Sequence, residues 1–266
     1  MEDAFSVAGN TCAAAWLAAS RAVITAGGSA YNVKIQVLDP VSETQDGTAL
    51  IRNVDSFLRA GGAKPVSTVA NTIFPSAWAR RRTAEELYRD YLPMAKRMRR
   101  MTNDWGRYFE RMIAWQGAGG PVNQLGDMIA LMRSQVAARD VYGKMFEIAI
   151  YDPVLDRERW YGRQCLSFLS FKVGKAGGGY RLALTAVYRN HHYVTRCLGN
   201  LIGLGRLMRF VAEETGIGAI GTLTCISTHA EIDTKSNAWT KADALTLVER
   251  CGEIAAGQAS GPVAVA

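Results

Sequence analysis

The chain has 266 residues, of which 48% are hydrophobic and 21% are charged, and its formal net charge is +7 at pH 7. These fractions are typical of an ordinary globular protein and predict a single domain over residues 1–266. No apolar run reaches the roughly 18 residues that a membrane-spanning helix needs, so we expect no membrane partner. The positive charge favours an anionic partner.

The cysteines and the amino terminus bear on the compartment. The five cysteines are odd in number and scattered, which favours a reducing compartment over a disulfide framework. The start Met1-Glu2-Asp3 lacks the basic region of a signal peptide, although residues 11–26 are apolar. We therefore expect a cytoplasmic protein.

Apolar spacing and turn residues divide the chain into helices and strands. In chain order they predict helix 11–26, strand 32–38, helix 48–59, helix 84–108, loop 116–121, helix 123–136, strands 144–151, 166–173 and 180–188, helix 197–214, strand 221–228 and one helix in the tail. Pro93 is predicted to break the helix in which it lies. The mixture indicates an α+β fold, with a mixed or antiparallel sheet flanked by helices.

Basic residues are concentrated in residues 80–111, which include Arg80-Arg81-Arg82. Acidic and aromatic residues interrupt this segment, which indicates a solvated helical region rather than a disordered nucleic-acid-binding arm. Nucleic-acid binding is therefore the least favoured of three functional interpretations.

Four colinear segments carry a family resemblance. They are Arg163-Gln164-Cys165 before an apolar strand, Tyr188-Arg189-Asn190-His191-His192, Leu198-Gly199-Asn200-Leu201-Ile202 and the segment 221–231. In this order they resemble the thymidylate synthase family, which includes the pyrimidine nucleotide hydroxymethylases. The family's own segments are Pro-Cys-His, Tyr-Arg-Ser-x-Asp, Phe-Asn-Ile and a strand that ends in His-x-Tyr. The resemblance covers residues 123–233.

The resemblance implies a thymidylate-synthase-like fold and a homodimer packed sheet to sheet. It also implies transfer of a one-carbon unit from 5,10-methylenetetrahydrofolate to C5 of a pyrimidine nucleoside monophosphate. Because several positions differ from the family, we favour hydroxymethylation over methylation. The alternative is a non-catalytic nucleotide-binding homologue that acts as a dimeric scaffold.

Cys165 is the implied nucleophile, whose thiolate adds to C6 of the pyrimidine. Arg163 and Arg189 are cations that could lower the pKa of such a thiol. Arg189 is also the implied phosphate ligand, with Asn190 in place of the family's Ser. Lys144 stands near the position of two family arginines that reach the phosphate from the partner subunit.

Asn200 is the implied reader of the pyrimidine edge. Its carboxamide matches N3–H and O4 of uracil in one orientation, and N3 and the amino group of cytosine in the other. His229 is implied to contact the sugar. Glu231 replaces the family's Tyr, and its carboxylate suits the vicinal diol of a ribonucleotide.

His192 stands where the family has an Asp that contacts folate. Either it acts as an acid or base, or the cofactor sits differently, or folate use has been lost. Trp105 is a second candidate for the cofactor site, and His191 is expected to have no role. The segment around Asn53 and Asp55 is loosely similar to a helix that carries the family's general base. No zinc-binding pattern appears, so we predict no metal site.

Overall fold

The computed structural model describes residues 5–98, 107–117, 119–157, 164–236 and 238–257. The helices are α1 (Cys12–Thr25), α2 (Gln45–Ala60), α3 (Val66–Ile73), α4 (Ser76–Ala79), α5 (Ala84–Met98), α6 (Tyr108–Ile113), α7 (Gln124–Ala138), α8 (Pro153–Asp156), α9 (Leu198–Thr215) and α10 (Lys241–Ala255). The strands are β1 (Ser6–Gly9), β2 (Ser29–Val37), β3 (Trp115–Gly117), β4 (Gly120–Val122), β5 (Phe146–Ala149), β6 (Leu166–Ala176), β7 (Gly179–Tyr188), β8 (His191–His192) and β9 (Ala219–Glu231). The prediction of an α+β fold with helices around a sheet is confirmed.

Seven of the described strands form one mixed sheet in the order β1-β2-β9-β7-β6-β5, with β8 paired to β9. Strand β9 runs antiparallel to β2 but parallel to β7, and β1 is parallel to β2. Antiparallel pairing joins β5, β6 and β7. The predicted mixed sheet is therefore confirmed, with antiparallel pairing in β2–β9, β5–β6 and β6–β7 and parallel pairing in β1–β2, β7–β9 and β8–β9.

A crossover explains why β7 and β9 are parallel. The chain leaves β7, makes a π-helical turn over Tyr193–Cys197 and continues into α9 before it enters β9. Parallel neighbours need such a helical connection, whereas antiparallel neighbours need only a short turn. The glycines of α9 let it approach α3 closely, because a Cβ at Gly199 would lie 2.6 Å from that of Val69.

Two local predictions are corrected by packing. Pro93 lies inside α5 without ending it. Leu87, Tyr91 and Ala95 form a buried stripe on this helix, and the Tyr91 ring meets Phe109 edge to face at 4.8 Å. Burial of this stripe offsets the backbone bond that proline cannot make. The predicted loop 116–121 is mostly a hairpin of β3 and β4.

None of the helices in the described segments has the length and apolar character required to cross a membrane. The core instead lies between one face of the sheet and the helices. Along β7, the buried residues Leu182, Leu184, Ala186 and Tyr188 alternate with partly exposed ones. One face of this strand is therefore covered, as expected for a half-buried strand.

A buried ion pair ties α6 to α8. Both terminal nitrogens of Arg111 donate to the Asp156 carboxylate, at 2.6 and 2.9 Å, and the guanidinium also donates to the carbonyl of Ile150. The side chains are 10% and 1% exposed. Such a pair stabilises a fold only while both charges are present.

Asp156→Ala is therefore expected to lower the free energy of unfolding by about 3–5 kcal/mol, because it leaves a buried guanidinium unpaired. Chemical denaturation measures this loss. Glu253→Ala is the matched control, since its partner Arg250 is on the surface and exposed pairs contribute about 1 kcal/mol or less. Equal losses in the two variants would contradict the assignment.

Candidate functional site

Strand directions bring distant segments to one edge of the sheet. The start of β6 lies beside the end of β7, with Leu166 opposite Tyr188. The end of β7 lies beside the last third of the parallel strand β9, with Tyr188 opposite Ser227, and β8 pairs with the end of β9 at Ala230 and Glu231. Because Cys165 precedes β6 and Arg189 follows β7, both lie at this edge beside the end of β9.

Five polar side chains form a chain of contacts along this edge, which we call the rim network. His229 Nδ1 lies 2.6 Å from Asn190 Oδ1, and its Nε2 lies 3.0 Å from Ser29 Oγ. Asn190 Nδ2 is 3.1 Å from His192 Nε2, which lies 3.8 Å from Glu231 Oε2. Since Oδ1 can only accept, His229 carries its proton on Nδ1 and accepts from Ser29. The structure thus brings together four residues predicted to bind ligands.

Backbone contacts fix Cys165 against Arg189. The Cys165 carbonyl accepts from the Arg189 amide at 2.9 Å, and the Gln164 carbonyl accepts from Arg189 Nε at 3.0 Å. The Tyr108 hydroxyl accepts from the backbone amides of Cys165 and Leu166, while burial is the main cause that raises the pKa of Tyr108 to about 12. Cys165 itself is partly exposed, as a nucleophile must be. Arg163 lies outside the described residues.

An open basin of about 520 Å³ adjoins Arg189 and is also lined by Ala149, Tyr151, Ser167 and Phe168. Its lining is largely apolar, and the polar side chains among these residues are one arginine and two that carry hydroxyl groups, Tyr151 and Ser167. A guanidinium and hydroxyl groups are groups that suit the oxygens of an anion such as phosphate.

A second set of polar groups, which we call the buried relay, lies behind the rim. Its members are Tyr193, Ser227, His191 and Asn200, each at most 3% exposed. The Tyr193 hydroxyl is 3.3 Å from Ser227 Oγ, which is 2.9 Å from His191 Nδ1. His191 Nε2 is 3.0 Å from the amide nitrogen of Asn200. Burial lowers the pKa of His191 to about 3, so the ring is neutral near pH 7.

The prediction that His191 has no role is therefore not supported by its contacts. Adjacent residues of a strand point to opposite faces, so one of two neighbouring histidines in a half-buried strand must face inward. That signal was available in the sequence, and the structure shows that His191 faces inward while His192 faces the rim.

The start of the crossover is fixed by Asp233, which follows β9. One carboxylate oxygen accepts from the amides of Val194 and Thr195 at 2.8 and 3.3 Å, and the other accepts from the Thr195 hydroxyl at 2.6 Å. This is the capping arrangement that satisfies free amides at a helix start. It holds the helix that carries Asn200 against the strand that carries His229.

Other predicted residues lie elsewhere. Lys144 sits at the opposite end of β6, where its carbonyl accepts from Lys172 at 3.2 Å. That is about 20 Å along the strand from Cys165. A phosphate contact by Lys144 stays a prediction that depends on a partner subunit. Trp105 lies outside the described residues.

The segment around Asn53 has structural contacts. Asn53 is buried and donates to Cys251 of α10 at 3.3 Å, and the Asp55 carboxylate accepts from the amide of Val66 at 2.7 Å. A further cavity of about 240 Å³ lies between this helix and α9, and Arg206 and Arg209 line it. Asp55 also lines this cavity, whereas the other candidate site residues that the structure describes do not.

Two basic residues in the described part of 80–98 share one acidic partner. Arg82 and Arg89 both bond to Asp90, and Arg82 also stacks on Trp78 at 4.4 Å. Among the residues that the structure describes, no group of three or more His, Cys, Asp and Glu side chains could hold a metal ion.

Comparison with known proteins adds no relative. No family model matches the chain. A search of curated proteins finds no significant match either.

A folate cofactor would have to fit the side chains of the rim network. A pterin ring presents adjacent N–H donors, which a carboxylate satisfies with its two oxygens. His192 cannot make that paired contact, but the neighbouring Glu231 carboxylate can. The residues therefore fit the group if Glu231 faces it, and in that case Glu231 is no longer available to a ribose diol.

The low pKa of His191 predicts a pH dependence of stability. In the unfolded chain this histidine takes up a proton below about pH 6.5, whereas in the folded chain it does so only near pH 3. Its contribution to stability is therefore complete above pH 6.5 and falls as the pH drops towards 3. Lowering the pH from 7 to 5 should therefore reduce the unfolding free energy of wild type by about 2 kcal/mol through this histidine.

Urea denaturation at the two pH values measures this loss. His191→Phe should lack it, and His192→Ala should retain it. If His191→Phe does not fold, nuclear magnetic resonance of the wild-type imidazole decides. A His191 ring that titrates near pH 6.5 in the folded protein would refute the assignment.

Proposed function

We propose that the chain is a thymidylate-synthase-like enzyme that adds a one-carbon unit to C5 of a pyrimidine nucleoside monophosphate. One observation carries the proposal: Cys165, Arg189 and His229 meet at a single sheet edge, and Asn200 lies directly behind it. These residues have the types and the chain order that the resemblance implies. Backbone bonds, the rim network and the buried relay link them.

The edge offers a separate contact for each part of a nucleotide. The Arg189 guanidinium suits the phosphate, and the rim histidine His229 suits a sugar hydroxyl. In the absence of folate, Glu231 is the acceptor for a vicinal diol, and with folate bound its carboxylate faces the pterin instead. Asn200 faces the base, because its amide has one end without a partner in the described part of the chain.

In the proposed chemistry the Cys165 thiolate attacks C6, and the electron pair of the C5–C6 double bond makes C5 nucleophilic. When bound, 5,10-methylenetetrahydrofolate would supply the one-carbon electrophile at the oxidation level of formaldehyde. After the C5–carbon bond forms, the C5 proton passes to a base and the carbon–nitrogen bond to the folate breaks, which would release tetrahydrofolate. Water then adds its hydroxyl to the one-carbon unit and gives up a proton to the base, and the thiolate leaves C6, which restores the C5–C6 double bond. His192 is the rim side chain whose imidazole suits proton transfer near neutral pH.

The differences from the family favour hydroxymethylation. His192, Glu231 and Asn190 all belong to the rim network, and each replaces a different residue type of the family. These replacements lie where the family binds its cofactor, and they leave the nucleophile in place. Such a site suits the reaction of the one-carbon unit with water better than its reduction by hydride transfer. Hydroxymethyl is therefore the proposed product.

Release of tritium from C5 of labelled CMP, UMP, dCMP and dUMP tests the reaction, with and without methylenetetrahydrofolate. We expect release from one nucleotide, and a product mass that is higher by one formaldehyde. Cys165→Ser should lower the rate by a factor on the order of 10³ or more, because the step has no other nucleophile.

Cys12→Ser is the matched control. Cys12 is buried, donates to the Pro40 carbonyl at 3.4 Å and can be replaced by a hydroxyl that makes the same bond. Nucleotide binding without tritium release would favour the non-catalytic alternative. Equal binding of ribonucleotides and deoxyribonucleotides would contradict the role of Glu231 at the diol.

We also propose a homodimer that buries the second face of the sheet. Val187 and Ile226 are opposite each other in the β7–β9 register and are only partly buried. Thr185 and Thr224 continue this face. Branched side chains of this kind form good contacts between packed sheets. The dimer would also let Lys144 of one subunit approach the basin of the other.

Ile226→Lys is expected to shift the protein from dimer to monomer, because it places a charge in the proposed interface. Light scattering after gel filtration measures the mass. Leu245→Lys on α10 is the control, since Leu245 is a large hydrophobic residue that is 39% exposed on another surface. A wild-type monomer would refute the dimer.

A further inference from the structure

Two polar atoms of residues that contact His191 have no hydrogen-bond partner within the described part of the chain. One is Oδ1 of Asn200, and the other is the hydroxyl of Tyr188, whose ring stacks on His191 with centroids 4.1 Å apart. An unpaired buried polar group costs about 1–3 kcal/mol. The incomplete Asn200 amide therefore marks a position where a ligand can add a bond.

The hydrogens of the buried relay have two consistent arrangements. A neutral imidazole has one N–H, so one ring nitrogen donates while the other accepts. If His191 donates to Ser227, its Nε2 must accept from the Asn200 amide nitrogen, and the Asn200 oxygen is presented outward. If Ser227 donates to His191, Nε2–H donates to the Asn200 oxygen, and the amide nitrogen is presented outward.

We propose that His191 determines the base preference of the site by fixing which end of the Asn200 carboxamide meets the pyrimidine. This inference rests on the proposed function. Uracil has a donor at position 3 and an acceptor at position 4, and cytosine has the reverse. For a base held in one pose, the two orientations of the amide therefore select opposite bases.

Burial gives the relay the rigidity that such a role requires. Ser227 is fully buried, so water cannot replace its bond to His191. Cys225 Sγ lies 3.9 Å from His191 Nδ1, and Tyr188 covers the face of the ring. Rotation of the Asn200 amide would require the imidazole to exchange its proton between nitrogens and the hydroxyls to reorient. His191 is thus a positioning residue that acts through Asn200.

The free end of the Asn200 amide is also screened from solvent. A base must therefore displace neighbouring atoms before it reaches the amide. A base whose donor and acceptor are in the opposite order would leave its own polar group unpaired, and the Asn200 amide as well. In a site without water, this is the strongest form of hydrogen-bond discrimination.

Titration calorimetry of the full chain with CMP, UMP, dCMP and dUMP tests the inference. Wild type should prefer one base by about tenfold or more in Kd, as expected for one lost hydrogen bond. Ser227→Ala and His191→Phe should change that ratio by about fivefold or more, with a gain in affinity for the disfavoured base. Ser20→Ala is the matched control, because this serine is buried in α1 and its hydroxyl has no partner in the described part of the chain.

The outcomes separate the inference from the function on which it rests. If the two variants bind both bases more weakly by the same factor, the ratio of the two Kd values is unchanged. That result would indicate general damage to the site and would overturn the role of His191. Wild-type binding without base preference would overturn it as well. Absence of binding to all four nucleotides would instead refute the proposed function. If His191→Phe does not fold, the ratio in Ser227→Ala decides.

Discussion

The parallel pairing of β7 with β9 is the constraint on which the rest of the structure depends. Two parallel neighbours end at the same edge of a sheet, so the residues that follow β7 lie beside those that close β9. An antiparallel pairing would place His229 near the start of β7, some nine residues or about 30 Å from Arg189. The helical crossover that parallel pairing requires is also what brings Asn200 behind the same edge.

Burying a histidine in this position has opposite effects on stability and function. Burial keeps His191 neutral below pH 6.5, where an exposed histidine would take up a proton, and this lowers the stability of the fold at acid pH. The hydrogen bonds of the relay offset this loss. The incomplete Asn200 amide shows that pairing stops at one point. Sites that recognise ligands commonly leave such a group unpaired in the free state, and they accept lower stability in return.

The sequence predicts most of the long elements because their signals are local. Apolar periodicity locates α1, α2, α7 and α9, and alternation locates β6, β7 and β9. Strand direction and the continuity of α5 through Pro93 depend on contacts between distant segments, so no local pattern reports them. The same limit applies to the site: Cys165, Arg189 and Asn200 could be named from the sequence, but the hydrogen bonds that orient Asn200 could not.

The differences from the thymidylate synthase pattern follow a physical division within the site. The side chains of Arg189 and Asn200 bond within the fold, to the Gln164 carbonyl and to His191, so replacing either residue would disturb the fold as well as the proposed chemistry. The rim side chains of Asn190, His192 and Glu231 are partly exposed and bond mainly to one another. Replacing them alters what the edge binds at little cost in stability. Under the proposed function, the rim is therefore where a specialised substrate or product would be encoded, while Cys165, Arg189 and Asn200 would preserve the covalent step.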